Sequence, residues 1–288
     1  PEEPPLKFYG PFLEKDGVLL FYAPLFTLKC SLERGDFIKP RNWDLEGLQK
    51  VLWLKEEEEE SGFISLDDFK NYLIGKPVCA NRLSKKEDLV LEEERTSIKI
   101  NPDKLTVSKE DALFRVRFLR LKKGVRFSFY VEVEEEELLF EILEKEPRTL
   151  ILGGERRAVR YELIKEDFKS LFEDIKEEIM DVGGKGIGKI IFLTPAIPEP
   201  AIPEVGWLPS SIPNRRVVSA YIPKPLRIGG WDYKKNEPRP MRYALPAGTT
   251  FWIKEENLEN FWLNFHSDYF SKLGLGLTIV GKGEEENA

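Results

Sequence analysis

Long apolar runs, cysteine, histidine and glutamine are all scarce in this 288-residue chain, and each scarcity excludes something. The longest nearly unbroken apolar run, Val18 to Phe26, is interrupted by Pro24. A membrane-spanning helix needs about 20 apolar residues, so no membrane role is expected. No basic-then-apolar signal segment is visible, which points to the cytoplasm. Two cysteines, Cys30 and Cys79, with one histidine, His266, cannot supply a four-ligand structural zinc site. In a reducing compartment the two cysteines read as buried thiols rather than a disulfide. Any Ser-His-Asp or Cys-His device would have to use His266. The one glutamine, Gln49, beside abundant Lys and Glu is the lean of hyperthermophile proteins, in which ion-pair networks gain value with heat.

What is present is ample core and strongly segregated charge. Apolar residues make up 41% and charged residues 33%. That is too apolar for a disordered chain, and the length suits about two domains. The net charge of −7 argues against general nucleic-acid binding, but binding depends on where charge sits. Glu56 to Glu60 is an unbroken acidic run, and Glu132 to Glu146 holds eight glutamates against Lys145. From Arg95 to Arg126 ten Lys or Arg face three acids, a local net of +7. From Asn214 to Arg242 eight face two, a net of +6. Two basic segments on an acidic chain suggest a polyanion partner; the plainer reading is a solvated surface complementing the acidic runs.

Period-two alternation of Phe114, Val116 and Phe118, then of Val125, Phe127, Phe129 and Val131, flanks Lys122-Lys123-Gly124 and predicts a β-hairpin over Asp111 to Val131. Phe168, Leu171, Phe172, Ile175 and Ile179 fall at helical spacing within Lys165 to Met180. Ser65 can cap a second helix with Leu66, Phe69 and Leu73 as its apolar stripe. Lys189 to Leu193, Arg216 to Ile222, Thr249 to Ile253 and Leu275 to Val280 read as strands, and Pro195 to Pro213, with six prolines, as a loop. Hairpins with few helices predict α+β layers rather than a doubly wound parallel sheet.

Several motifs carry competing readings. Gly183 to Lys189, GGKGIGK, has phosphate-loop spacing, but Ile190 stands where Ser or Thr should hold magnesium, and a helix precedes it where a strand should. It reads as an αβ connection. His266, between Phe265 and Ser267, reads as a surface or turn histidine; the minority reading is a general base for RNA cleavage. Glutamate runs point in many directions and build no metal shell. The alternation of Gly and apolar residues over Leu273 to Gly281 is either a glycine-kinked strand or a bare backbone that a phosphodiester can approach, with Lys272 beside it. Gly229-Gly230-Trp231-Asp232, then Tyr233-Lys234-Lys235 and Arg239-Pro240-Met241-Arg242-Tyr243, interleave rings with cations. Single-stranded nucleic acid stacks bases on such rings and pairs phosphates with such cations, at roughly 1–3 kcal/mol per stacked base. The alternative is a turn with a core tryptophan.

Taken together, one family fits. KIIFLTPAI (Lys189 to Ile197), GWLP (Gly206 to Pro209), VVSAYIPKPLRIGGWD (Val217 to Asp232), PRPMRYALPAGTTFWI (Pro238 to Ile253) and GLGLTIVG (Gly274 to Gly281) follow one another in family order. Upstream, KFYGPFLEKDGVLLFYAP (Lys7 to Pro24), ERTSIKI (Glu94 to Ile100), ALFRVRFLRL (Ala112 to Leu121) and LGGERRAV (Leu152 to Val159) fit as well. The chain resembles the third subunit of the Cmr effector complex, the type III-B CRISPR ribonucleoprotein, within the RAMP superfamily. Family members carry a strand and helix ahead of the GPFL-like stretch, so an N-terminal piece is expected before Pro1. The acidic tail after Gly281 also departs from the family ending.

The resemblance implies two ferredoxin-like (RRM-like) units with antiparallel sheets. Residues 1–160, with insertions, form the first, which lacks its opening strand and helix; residues 161–288, with the Gly-rich loop, form the second. It implies a non-catalytic subunit that holds the repeat-derived 5′ tag of a guide RNA and joins a large palm-domain subunit to the backbone subunit, with no cofactor and no metal. Lys224, Arg227, Lys234, Lys235, Arg239 and Arg242 would meet phosphates, Trp231 would stack or buttress, and Gly229 and Gly230 would admit backbone. Arg95, Lys99 and Arg156 are further candidates, as are Lys272, Gly274 and Gly276 at the Gly-rich loop. The rival is a RAMP-type endoribonuclease processing precursor RNA with His266; a third reading is a protein-only scaffold.

Overall fold

The computed structural model describes residues 6–24, 37–38, 50–52, 61–76, 78, 82–98, 113–134, 136–145, 148–152, 157–180, 188–199, 208–212, 216–232, 234–254 and 257–283. The acidic run at 56–60, Cys30, Cys79, Lys99, Arg156, Tyr233 and most of the GGKGIGK stretch lie outside the described residues.

In chain order the first half holds β1 (Leu6–Lys15), β2 (Val18–Pro24), β3 (Phe37–Ile38), β4 (Lys50–Leu52), β5 (Ser61–Ser65), α1 (Leu66–Leu73), α2 (Lys86–Leu89), β6 (Val90–Ile98), β7 (Leu113–Leu121), β8 (Val125–Val133), α3 (Glu136–Leu143), β9 (Thr149–Leu152) and β10 (Arg157–Arg160). The second half holds α4 (Glu173–Met180), β11 (Gly188–Phe192), β12 (Val217–Tyr221), β13 (Leu226–Ile228), β14 (Trp231–Asp232), β15 (Glu237–Pro238), β16 (Arg242–Ala244), β17 (Thr250–Ile253) and β18 (Thr278–Lys282). The α+β class with antiparallel sheets is what the sequence pattern demands: short β-branched strands between Gly and Pro, and few amphipathic helices.

Two sheets organise the molecule. One has strand order β5-β2-β1-β8, the other β18-β11-β17-β12-β4-β3. The second is completed by β3 and β4 from the first half, and β4 runs parallel to β12, with Ser219 opposite Lys50. Ser65 caps α1 as expected, its Oγ accepting from the Asp68 N–H at 3.2 Å. The 165–180 stripe forms a short 3₁₀ turn (Lys169–Phe172) running into α4. Phe168, Phe172, Ile175 and Ile179 are buried, and Phe168 lies 5.1–5.2 Å from the rings of Tyr9, Phe12 and Tyr130. A single apolar cluster runs from these rings through Phe69 and Leu73 of α1 to Ile190, Phe251 and Ile279 of the second sheet. Each phenyl ring buried there contributes roughly 1.5–3 kcal/mol.

The expected hairpin over 111–131 is corrected. Both strands exist, but β7 pairs with β6 and β8 pairs with β1. The turn shows why. Lys122 N–H donates to Leu89 O, extending the β6–β7 ladder, whereas Asp16 N–H donates to Gly124 O, where the β1–β8 ladder begins. Within three residues the chain leaves one sheet and enters another. Alternation identifies a strand but not its partner. The partner was set by burial: Tyr130 packs on Phe168, and Ser128 and Arg126 bond Glu14.

Candidate nucleic-acid interface

Residues 224–244 form an exposed two-stranded arm that gathers most of the candidate residues. Its ladder runs Leu226–Ala244, Arg227–Tyr243 and Ile228–Arg242. It continues through the Arg239 N–H to Gly230 O bond (2.9 Å) into Trp231–Pro238 and Asp232–Glu237. The Asp232 carboxylate accepts from the backbone N–H groups of Lys234 (3.0 Å) and Lys235 (3.2 Å), which fixes the tip. Gly230 has φ +149°, a conformation L side chains avoid, and a Cβ at Gly229 would press on Met241 Cε at 3.1 Å. These glycines lie where the two ladders of the arm meet.

Lys224, Arg227, Lys234, Lys235 and Arg239 are exposed, and Trp231 lies 43% open to solvent rather than in the core. Six cations against Asp232 and Glu237 leave this stretch net positive over 224–242. Lys235 lies 3.9 Å from Glu237, and the Arg227 guanidinium 5.6 Å from the Tyr243 ring. Arg242 is placed differently: half-buried, it stacks 3.7 Å above the Tyr269 ring, whose hydroxyl donates to Glu199 Oε1 at 2.9 Å. It anchors the arm to residues 264–269. Among the described residues, Lys224, Lys234 and Arg239 make no side-chain ion pair, leaving three cations available to an anion.

The first basic segment behaves otherwise. On the β6–β7 ribbon, Arg95 and Arg120 pair with Glu93 (2.9 and 2.8 Å), and Arg117 and Arg115 with Glu94 (3.2 and 3.7 Å). Arg126 bonds Glu14 at 2.6 Å and, through that bond, holds its carboxyl below the usual carboxylate range. The window that gave +7 begins at Arg95 and so excludes Glu92, Glu93 and Glu94, which the ladder sets against β7. Four arginines then face three glutamates along the two strands. Only the register reveals this neutralisation. Arg95 also lies over the Phe118 ring at 5.1 Å.

The Gly-rich loop packs inward. Gly274 and Gly276 are buried. A Cβ at Gly274 would sit 2.8 Å from Phe8 O, and one at Gly276 2.5 Å from Ser267 N. Their backbone groups are bonded internally: Thr194 Oγ1 donates to Gly274 O, and Gly276 N–H to Pro195 O. Glycine is needed here for packing β1 and residues 266–267 against the loop, so neither residue offers backbone to a phosphodiester. Lys272 is exposed on the same turn.

His266 is fully engaged. Its Nε2–H donates to Asn260 O at 2.8 Å, and its Nδ1 lies 2.8 Å from Ser211 Oγ. Burial lowers its pKa, which keeps the ring neutral with Nδ1 as acceptor. The ring borders a cleft of about 550 Å³ lined also by Lys7, Tyr9, Lys169, Asn260 and Phe265. There Glu132 accepts from Tyr9 (2.6 Å) and Lys169 (2.9 Å), its carboxyl held below the usual range chiefly by the Tyr9 hydroxyl. Asp268, two residues on, was not singled out by sequence. Its carboxylate accepts from the N–H groups of Glu199 (2.6 Å) and Ser210 (3.0 Å) and from the Ser210 hydroxyl, tying both ends of the proline-rich loop.

A family model described as CRISPR-associated protein (Cas_Cmr3) matches residues 1–283. The chain belongs to the Cas_Cmr3 family. No curated protein matches it. Among solved structures, this Cas_Cmr3 chain is similar to a chain of a type III-B Cmr-beta complex bound to cognate target RNA, with 18% identity and TM-score 0.46 over 85% of this chain and 64% of that one. A second Cmr-beta chain, from a complex bound to cognate target RNA and AMPPnP, gives 16% and 0.44 over 86% and 66%. A chain of the Csm3–Csm4 subcomplex of the type III-A interference complex gives 16% and 0.42 over 97% and 83%. The Cas_Cmr3 chain thus spans slightly less than two thirds of the length of the two Cmr-beta chains. Among the described residues, no helix is long and apolar enough to cross a membrane.

Proposed function

We propose that this Cas_Cmr3 chain is a non-catalytic RNA-binding subunit of a type III-B effector. It holds the repeat-derived 5′ tag of the guide RNA and joins the large palm-domain subunit to the backbone subunit in the cytoplasm. The observation that carries the RNA reading is the 224–244 arm: available cations and an open tryptophan on one exposed two-stranded element, in an otherwise acidic chain. Cations neutralise phosphates without reading sequence, and Trp231 supplies a stacking surface for an unpaired base. Arg242 holds the arm in place through Tyr269 rather than meeting RNA first. The engaged ring of His266 supports a binding role over the endoribonuclease reading.

The test is tag-RNA affinity measured across salt concentrations. Replacing Lys234, Lys235 and Arg239 by Ala should weaken binding and reduce the slope of log K against log salt by about 0.7 for each lost contact to a single strand. An unchanged slope removes the arm from the site. Discrete cleavage products of repeat RNA that vanish in His266→Gln would overturn the non-catalytic reading.

A further inference from the structure

The outer face of the first sheet carries an apolar strip that nothing in the described chain covers. β8 alternates strictly, and its odd positions are Val125, Phe127, Phe129, Val131 and Val133. The ladder sets Leu13 beside Phe127, Phe8 beside Val131 and Leu6 beside Val133, all on that same face. The strip contains its own control. At one end Val125 packs with Leu20, Leu89, Val90 and Leu121 and is 9% exposed. Beyond that cover, exposure rises to 45% at Phe127, 53% at Phe129 and 38% at Val131. Among the described residues β8 is also the last strand of its sheet, with β1 on one side and no strand on the other. Edge strands normally carry charge or proline against pairing with other chains; the exposed face of β8 carries neither.

We propose that β8 is a docking edge for another polypeptide, which adds an extended strand beside it. Its alternate side chains are apolar over Phe127, Phe129 and Val131 and basic on the opposite face. An open edge of nine residues offers backbone groups at strand spacing, which a strand satisfies and a helix does not. The basic alternation follows from charge. On the other face of the β1–β8 pair and along residues 162–169, the exposed Glu132, Glu134, Glu162, Glu166 and Asp167 outnumber Lys7, Arg126, Lys165 and Lys169. Arg126 and Lys169 are already bonded to Glu14, Glu162 and Glu132. A second copy pairing antiparallel about Phe129 would set Arg126 opposite Glu132, but both are engaged and the two acidic rims would meet. A basic partner removes that repulsion.

The probe is a labelled nine-residue peptide alternating valine and lysine, set against a valine–glutamate version and a shuffled peptide of the same composition, titrated into the full chain. The alternating basic peptide should bind at least about tenfold more tightly than either control, as expected of a central apolar anchor. It should also slow hydrogen exchange at the outward amides of β8. Phe129→Thr, which keeps β propensity, should weaken it at least about tenfold with little change in melting temperature; Val131→Thr serves as the second variant. Equal binding of the shuffled peptide, or no effect of either variant, overturns the proposal. So does a dimer in sedimentation that Phe129→Thr abolishes, which assigns the strip to a second copy. Slow exchange on that edge in the free monomer would assign it to another segment of the same chain and overturn the proposal equally.

Discussion

Replacing Gly276 by Ala tests the packing role assigned to the Gly-rich loop. Gly276 has φ +80°, and an added Cβ would sit 2.5 Å from Ser267 N and 2.6 Å from His266 C. The left-handed conformation costs a non-glycine residue about 1–2 kcal/mol. Forcing a methyl against backbone atoms that cannot rotate away adds about 1–3 kcal/mol. The sum is about 2–5 kcal/mol, a large part of a typical 5–15 kcal/mol stability. Gly17→Ala separates the two costs, since Gly17 has φ +85° and nothing within 4 Å of its would-be Cβ. It should lose only the first, about 1–2 kcal/mol. Denaturant unfolding with a shared m-value, and thermal melts, read the difference. A loss near 3 kcal/mol lowers the melting temperature by roughly 6–12 °C for a domain of 150–250 residues. Below its melting range, Gly276→Ala should bind tag RNA as the parent does. A Gly276→Ala chain no less stable than Gly17→Ala would refute the packing argument, and a loss of RNA affinity at full stability would return the loop to the interface.

Two further outcomes follow from the core and from His266. Phe168→Ala removes the ring that Tyr9, Phe12, Tyr130 and Phe172 pack against and should cost about 3–5 kcal/mol by chemical denaturation; a loss under about 1 kcal/mol would contradict the ring cluster. His266 is half-buried in neutral form, with a folded pKa below its ordinary value of 6.5. The unfolded chain therefore binds its proton first on acidification. This contribution to stability is complete above about pH 6.5 and is lost as pH falls below it toward the lower folded value. Melting temperature should decline over that interval, and His266→Gln should flatten the decline; an identical decline in both proteins would contradict it.

The local code was largely written in the sequence. Ser65 before an apolar stripe set α1, the 3–4 spacing of Phe168, Phe172, Ile175 and Ile179 set the helical segment, and β-branched runs set β11, β12, β17 and β18. Rings interleaved with Lys and Arg marked the 224–244 arm, because exposure of such residues depends on local alternation within one hairpin. Three things were settled only by tertiary structure, each through partners distant in sequence. The ladder put Glu93 and Glu94 against Arg115, Arg117 and Arg120, so the arginines of a segment that reads as +7 in isolation are paired across strands. Close approach of Phe8 and Ser267 turned the Gly-rich loop into a packing device, since a glycine pattern looks the same whether its missing Cβ makes room for a ligand or for another strand. Burial of Tyr130 on Phe168 sent β8 to β1 and turned Phe127, Phe129 and Val131 outward, for alternation gives a strand two faces without saying which one the core will take.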